Sequence, residues 1–237
     1  MKLVAIESAT AATSVALGDG QSLVAAASRV DRRGHAEFLA AALDFCLDQA
    51  GWSPSELDGV VVDVGPGLYT GIRVGLATAQ GLAAALGIPI VPATSLDAIA
   101  LRAATGRRHI HAVVDVRRGE VAAASYRPVP GGVVRDDLPS LTSIEELRAS
   151  LQSDPDDVLL VGDRPVLGEG FLNGLHRVKV GRPRYPAAEA LLELAAGRLA
   201  QDDVPHPDEI RPMYLRDANV TISSVHRDPT GPWGDVA

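Results

Sequence analysis

The chain opens with an apolar run, Lys2–Ile6, that breaks at Glu7 and resumes over Thr13–Leu17. Both are read as strands, joined by the small and polar turn Glu7–Ala12. A third strand, Ser22–Ser28, follows Gly18-Asp19-Gly20, a hairpin signal. The period then changes. Phe38, Leu39, Ala42, Phe45 and Cys46 recur at one helical face, which predicts a helix over His35–Ala50. Leu43 and Leu47 lie on a neighbouring face, so the apolar stripe is wider than one core contact needs. Gly51 stops the helix. Ser53-Pro54-Ser55-Glu56 reads as a turn and Gly59–Val64 as a strand. A second helix is predicted over 70–87, with Ile72, Leu76, Ala79, Ala83 and Leu86 on one stripe. Gly71, Gly75 and Ala79 form a row of small residues four apart, suited to close approach by a helix or sheet. Ile90–Val91 is a short strand, and Thr94 or Ser95 caps a helix to about Ala104.

A second block repeats the plan. Ile110–Val116 and Val121–Tyr126 read as strands joined by the turn Arg117-Arg118-Gly119-Glu120. Val129–Asp137 reads as loop. Ser143-Ile144-Glu145-Glu146 is a capping box that opens a short helix. Val158–Val161 and Arg177–Val180 are strands, and Pro186 starts a helix to about Ala200. Pro205, Pro207 and Pro212 make the next stretch extended. Beyond Val225 the composition holds almost no core residues, which predicts a frayed tail. A hairpin unit with helices, given twice, predicts a two-lobed α/β protein with mixed sheets and flanking helices. The predicted division is 1–100 plus about 205–222 for lobe I, 101–204 for lobe II, and a disordered tail over 223–237.

Composition narrows the function. The 237 residues carry a formal net charge of −8. A free-standing nucleic-acid binder shows a basic face, because neutralising phosphates drives its affinity. Any nucleic-acid role is therefore expected to be shared with a partner. The lone Cys46 forms no internal disulfide, which fits a reducing compartment. No segment approaches a membrane span, and the apolar N-terminal run meets Glu7 too soon for a signal peptide. The expected location is the cytoplasm.

The most informative stretch is Gly65-Pro66-Gly67-Leu68-Tyr69-Thr70-Gly71-Ile72-Arg73-Val74-Gly75, between a predicted strand and a predicted helix. It has two readings. Free N–H groups at a helix N-terminus can bind an anion, although the lysine of a P-loop is absent. Alternatively, Gly65 and Gly67 supply unusual backbone angles while Gly71 and Gly75 allow close packing. Thr70 is the predicted N-cap under either reading. Arg73 opposes the macrodipole, which marks it for a specific polar contact. His109 and His111 share a strand face, but no cysteine or clustered acid supports a metal there, so no bound metal is expected. No nucleophile elbow with Ser-His-Asp order is present.

Four passages together resemble the TsaB family, also called YeaZ: Ile6-Glu7-Ser8-Ala9-Thr10, the glycine passage, Val114–Val121, and Pro212-Met213-Tyr214-Leu215-Arg216. The likeness runs over roughly residues 1–220. It implies an actin/Hsp70/sugar-kinase-like fold. It further implies a non-catalytic scaffold or activator that pairs with the catalytic paralogue TsaD, which transfers threonylcarbamoyl to the tRNA adenosine beside the anticodon. A TsaE-type ATPase would join the assembly, a homodimer is left open, and tRNA would be met only through the complex. No cofactor is required of this chain, with ATP or ADP allowed at the complex interface. The alternative is an active ATPase or small-molecule kinase of the same fold.

The resemblance places vestigial phosphate and nucleotide loops at Glu7, Ser8, Gly65, Gly67, Thr70, Gly71, Asp115 and Gly162, with no catalytic residue. Glu7 stands where relatives carry Asp, and its extra methylene displaces the carboxylate from metal-bound water. Arg117 and Arg118 crowd the second loop and are expected to pair with Asp115 or Glu120. Gly162-Asp163 replaces a double glycine. TsaD's pair of metal histidines four apart is reduced to His35 and Leu39. The first two helices would bundle with the partner's through Phe38, Leu39, Ala42, Leu43, Arg73, Leu76, Ala79, Gln80 and Ala83, some of which must face the protein's own sheet.

Overall fold

A computed structural model describes residues 1–200, 204–206 and 209–216. The predicted tail lies outside the described residues. The first sheet contains β1 (Leu3–Glu7), β2 (Ala12–Gly18), β3 (Leu23–Val30), β4 (Gly59–Asp63) and β5 (Ile90–Ala93), in the order β3-β2-β1-β4-β5. β1, β2 and β3 pair antiparallel, whereas β4 and β5 join in parallel. Parallel neighbours need a crossover, and α2 (Tyr69–Leu86) supplies the one from β4 to β5.

The second sheet repeats this topology with β6 (His109–Asp115), β7 (Glu120–Val129), β8 (Gly132–Arg135), β10 (Val158–Gly162) and β11 (Val178–Val180) in the order β11-β10-β6-β7-β8. β9 (Ser140–Ser143) adds on to β7. The loop predicted over Val129–Asp137 is corrected here. β7 runs on to Val129, turns at Gly131 and returns as β8. Pro128 and an exposed, mixed-polarity edge hid the hairpin, since edge strands lack a fully buried face.

Two helices depart from the order of the chain. α3 (Ser95–Ala103) follows the first sheet but packs Leu96, Ile99, Ala100 and Ala103 against Ile110, Ala112 and Ala122 of the second. α5 (Ala188–Ala200) follows the second sheet but packs Ala188, Leu191 and Ala195 onto Leu3, Ala5 and Val61 of the first. The two helices also touch each other, so they join the lobes. The opposite face of the first sheet is covered by α1 (His35–Ala50) and α2, through Leu39, Ala42, Leu76, Ala79 and Ala83. α4 (Ile144–Ser153) covers the second sheet through Leu147 and Leu151, after a full capping box at Ser143 and Glu146. Thr94 is the cap of α3, its hydroxyl accepting from the Asp97 N–H at 3.2 Å.

Candidate functional site at the cleft between the lobes

The glycine passage leaves β4 at Asp63 and enters α2, with a cis peptide bond between Gly65 and Pro66. It is packed on the β1–β2 turn. The Leu68 N–H donates to the Ala9 carbonyl at 2.6 Å, and the Ser8 hydroxyl donates to the Gly71 carbonyl at 2.8 Å. A Cβ at Gly67 would overlap the Ala9 carbonyl, one at Gly71 the Ser8 carbonyl, and one at Gly75 the Ser8 hydroxyl. These glycines therefore bring backbone against backbone, which is the packing reading. Thr70 is not the cap: Leu68 is, and Thr70 lies in the first helical turn.

Two acids lie beneath this loop, at the ends of neighbouring parallel strands. Glu7 is fully buried and Asp63 is 1% exposed. Asp63 accepts the Gly65 N–H at 2.7 Å and the Ser95 hydroxyl at 2.7 and 2.9 Å. Burial pushes its carboxyl up to about 7, although those hydrogen bonds pull the other way. Burial, then the nearby Asp63 carboxylate, push Glu7 well above the ordinary range. One Glu7 oxygen accepts the Ala9 N–H at 2.8 Å; the other is buried with no partner among the described residues. Neither acid lines the cleft, so neither is placed to hold a solvated metal beside phosphates.

The cleft itself, about 740 Å³, runs between α1, α2, the β6–β7 turn and the C-terminal strap at 213–216. Arg32, Arg33, Arg117, Arg118 and Arg216 line it, with Glu37 and Thr70. In a chain of net charge −8 this concentrates positive charge at one place. Arg117 and Arg118 do not form the ion pairs expected of them. Asp115 instead accepts the Arg117 backbone N–H at 2.7 Å and lies 4.0 Å from Arg32, while Glu120 pairs with Arg216. Both turn arginines take positive φ, 70° and 61°. That conformation is unfavourable for side-chain-bearing residues, so the turn holds two exposed cations at a backbone cost. Gly162 packs against the Val113 backbone, and the following Asp163 is held by Arg184 at 3.2 Å, so this turn too is filled by protein. The arrangement can bind an anion electrostatically. His35 also lines the cleft, one ring nitrogen against the Thr10 carbonyl.

The passage Pro212–Arg216 acts as a strap. The Met213 N–H donates to the Val64 carbonyl at 2.7 Å, Tyr214 stacks on Tyr69 at 5.0 Å, and Arg216 reaches Glu120 in the second lobe. Arg73 lies 3.9 Å over the Tyr69 ring and donates to the Tyr214 hydroxyl at 2.9 Å. The specific contact predicted for Arg73 is thus within the chain.

Residues 28–152 match the family model described as TsaD, tRNA N6-adenosine threonylcarbamoyltransferase. The tRNA threonylcarbamoyladenosine biosynthesis protein TsaB of Escherichia coli is 30% identical over 224 residues, which span 91% of this chain and 95% of that protein. The chain belongs to the TsaB family. YeaZ from Pseudomonas aeruginosa superposes with a TM-score of 0.76 at 26% identity, over 90% of this chain and all of that one. An uncharacterized protein of Mycobacterium leprae is 43% identical over 129 residues, but the match spans 35% of its length.

The helix face assigned to a partner needs correction in this TsaB-family chain. Leu39, Ala42, Leu76, Ala79 and Ala83 are buried on the chain's own sheet, and Phe38 and Leu43 are half-buried against the same core. Only Gln80 and Arg73 of the named set are exposed, and Arg73 is engaged by the strap. The outward small residues of α2 are instead Ala77, Gly81 and Ala84, which recur at i, i+4 and i+7. On α1, Ala40, Ala41 and the 52% exposed Phe45 also face outward. Sequence reasoning missed these positions because it followed the stripe set by Ile72, Leu76 and Leu86, whose alanines share the buried face.

The histidines also depart from expectation. The His35 ring nitrogen meets the Thr10 carbonyl at 3.0 Å, which ties α1 to the β1–β2 turn. His109 and His111, expected to lack an acidic partner, meet Asp154 and Asp136 away from the cleft. Both acids are remote in sequence, so no local spacing announced them.

Proposed function

We propose that this chain is a non-catalytic partner of a TsaD-type transferase in making tRNA threonylcarbamoyladenosine. The observation that carries the reading is the filled phosphate route: the glycine passage is packed on Ser8 and Ala9, with Glu7 and Asp63 sealed below it. What remains exposed is a small-residue face on α1 and α2, suited to close helix–helix approach, and a cleft lined with arginine. The name of the Escherichia coli relative supports the pathway. On this reading tRNA is met through the complex, consistent with net charge −8, and the work is done in the cytoplasm. Among the described residues no helix is long and apolar enough to cross a membrane. A TsaE-type ATPase joins the complex, and the same helix face pairs two copies when the transferase is absent. The chain requires no cofactor of its own; an ATP or ADP phosphate at the joint interface would meet Arg117 and Arg118.

The test is reconstitution of tRNA threonylcarbamoylation with a TsaD-type transferase, with and without this chain. Transfer should depend on the chain. Ala77→Arg and Ala84→Arg, which project from the exposed row, should abolish co-purification with the transferase while leaving the fold intact. Transfer at full rate without the chain, or ATP turnover by the chain alone, would overturn the reading.

A further inference from the structure

We infer that His109, His111 and Asp154 form a binding site for one Zn²⁺ ion on the second lobe, with Asp136 orienting His109 from behind. The two histidines stand at i and i+2 on β6 and so share one face of the sheet. Asp154, the C-cap of α4, brings Oδ2 to 2.6 Å from His109 Nδ1 and 2.8 Å from His111 Nε2. All three donor atoms lie within 4.8 Å of one another.

The surrounding contacts leave these donors free to converge. Asp154 Oδ1 accepts the Asp156 N–H at 2.8 Å, so only Oδ2 turns to the rings. His109 Nε2 meets Asp136 Oδ2 at 3.0 Å, and Asp136 Oδ1 accepts from Arg127 Nε at 2.7 Å. Arg127, Asp136 and His109 thus form a chain that fixes the ring and aims Nδ1 at the site. A ligating histidine held at its far nitrogen by a carboxylate is the usual outer arrangement of a zinc site. Two imidazoles and one carboxylate are borderline donors that suit Zn²⁺ and leave a fourth position for water. His109 is 17% exposed at its side chain, which gives an ion a path in, whereas Asp154 is 4% exposed.

Zinc bonds of about 2.0–2.1 Å at tetrahedral angles separate ligand atoms by roughly 3.3 Å. The two contacts to Asp154 are shorter, as hydrogen bonds require, while the donor set as a whole spans up to 4.8 Å. Binding therefore moves Asp154 Oδ2 outward by several tenths of an ångström (roughly 0.5 Å) and draws the rings around the ion. The ion would pin β6 to the end of α4, and through Asp136 to the segment after β8.

The test titrates Zn²⁺ into the full chain against a chromophoric chelator. One ion per chain is expected. His109→Ala should abolish binding, Asp136→Asn should weaken it about 10–100-fold, and His176→Ala, at an exposed residue outside the cluster, should change nothing. His111 is buried, and its removal risks the fold, so Co²⁺ added to the unaltered chain gives a second measurement. Visible d–d bands of a four-coordinate nitrogen and oxygen site are expected. A chain that binds no Zn²⁺, a His109→Ala variant with unchanged affinity, or a Co²⁺ spectrum identical to the aqueous ion would each overturn the assignment.

Discussion

Asp63→Asn is expected to stabilise this protein at pH 8 and leave it nearly unchanged at pH 4. Asp63 is buried beside the equally buried Glu7, and its carboxyl is pushed from 3.8 up to about 7. The folded value lies above the unfolded one, so the folded state holds its proton more tightly. That contribution is fully present below about pH 4 and is lost as pH rises through about 7. Each pH unit between the two values is worth about 1.4 kcal/mol, so the folded state loses about 4 kcal/mol across the interval. Domains of this kind are stable by about 5–15 kcal/mol, so the change is a large share of the whole. Asparagine keeps the acceptor for the Gly65 N–H and offers an N–H to the Ser95 hydroxyl, as the protonated acid would. It also removes the charge that opposes ionisation of Glu7.

The assay is urea denaturation of both proteins at intervals from pH 4 to pH 8.5, read as the difference between variant and parent. That difference should be near zero at pH 4 and grow to about 4 kcal/mol in favour of the variant by pH 8. A difference that stays flat with pH would refute the reasoning. So would a variant less stable than its parent at pH 8, because Asp63 would then be ionised and well compensated.

Glu7→Gln should act in the same direction as Asp63→Asn, its advantage growing as pH rises above the ordinary carboxylate range, since desolvation also dominates there; the same denaturation series measures it. Gly71→Ala should cost about 2–3 kcal/mol or more, because its Cβ meets a backbone carbonyl that cannot move aside, whereas Gly87→Ala, with open space at φ 69°, should cost only about 1 kcal/mol. Arg118→Gly should raise stability by about 0.5–1 kcal/mol: relief of about 1–2 kcal/mol of left-handed strain exceeds glycine's added freedom in the unfolded chain. If the cleft binds an anion, the same variant should lose activity in reconstituted threonylcarbamoylation while gaining thermal stability.

Much of the fold was legible because its elements satisfy local rules. The switch from strand runs to helical spacing at His35, the capping box at Ser143 and the hairpin around Gly119 each act within a few residues. The destinations of α3 and α5 were not legible. Both are short, alanine-rich helices, and nothing in Leu96, Ile99 or Leu191 says which sheet each will cover. Their exchange is decided by the packing of two sheets that share one topology, a property of the assembled lobes.

The site divides the same way. Gly67 and Gly71 were readable as packing glycines because a missing Cβ has local meaning, and the structure supplies the carbonyls that require it. The fate of Arg73 needed the strap 141 residues away, and that of His109 needed Asp154, 45 residues on. The outward face of α2 shows the sharpest limit. The stripe led by Ile72, Leu76 and Leu86 carries Ala79 and Ala83 onto the sheet; the exposed positions, and the face proposed for a partner, are Ala77, Gly81 and Ala84. A face of small residues gains little from hydrophobic area and more from letting backbones come close. Partner binding on this row should therefore be far more sensitive to added bulk than to lost apolarity: Ala77→Ser should keep the complex and Ala77→Leu should break it. Loss of the complex with serine and its retention with leucine would show that area, and not close approach, holds the two helices together.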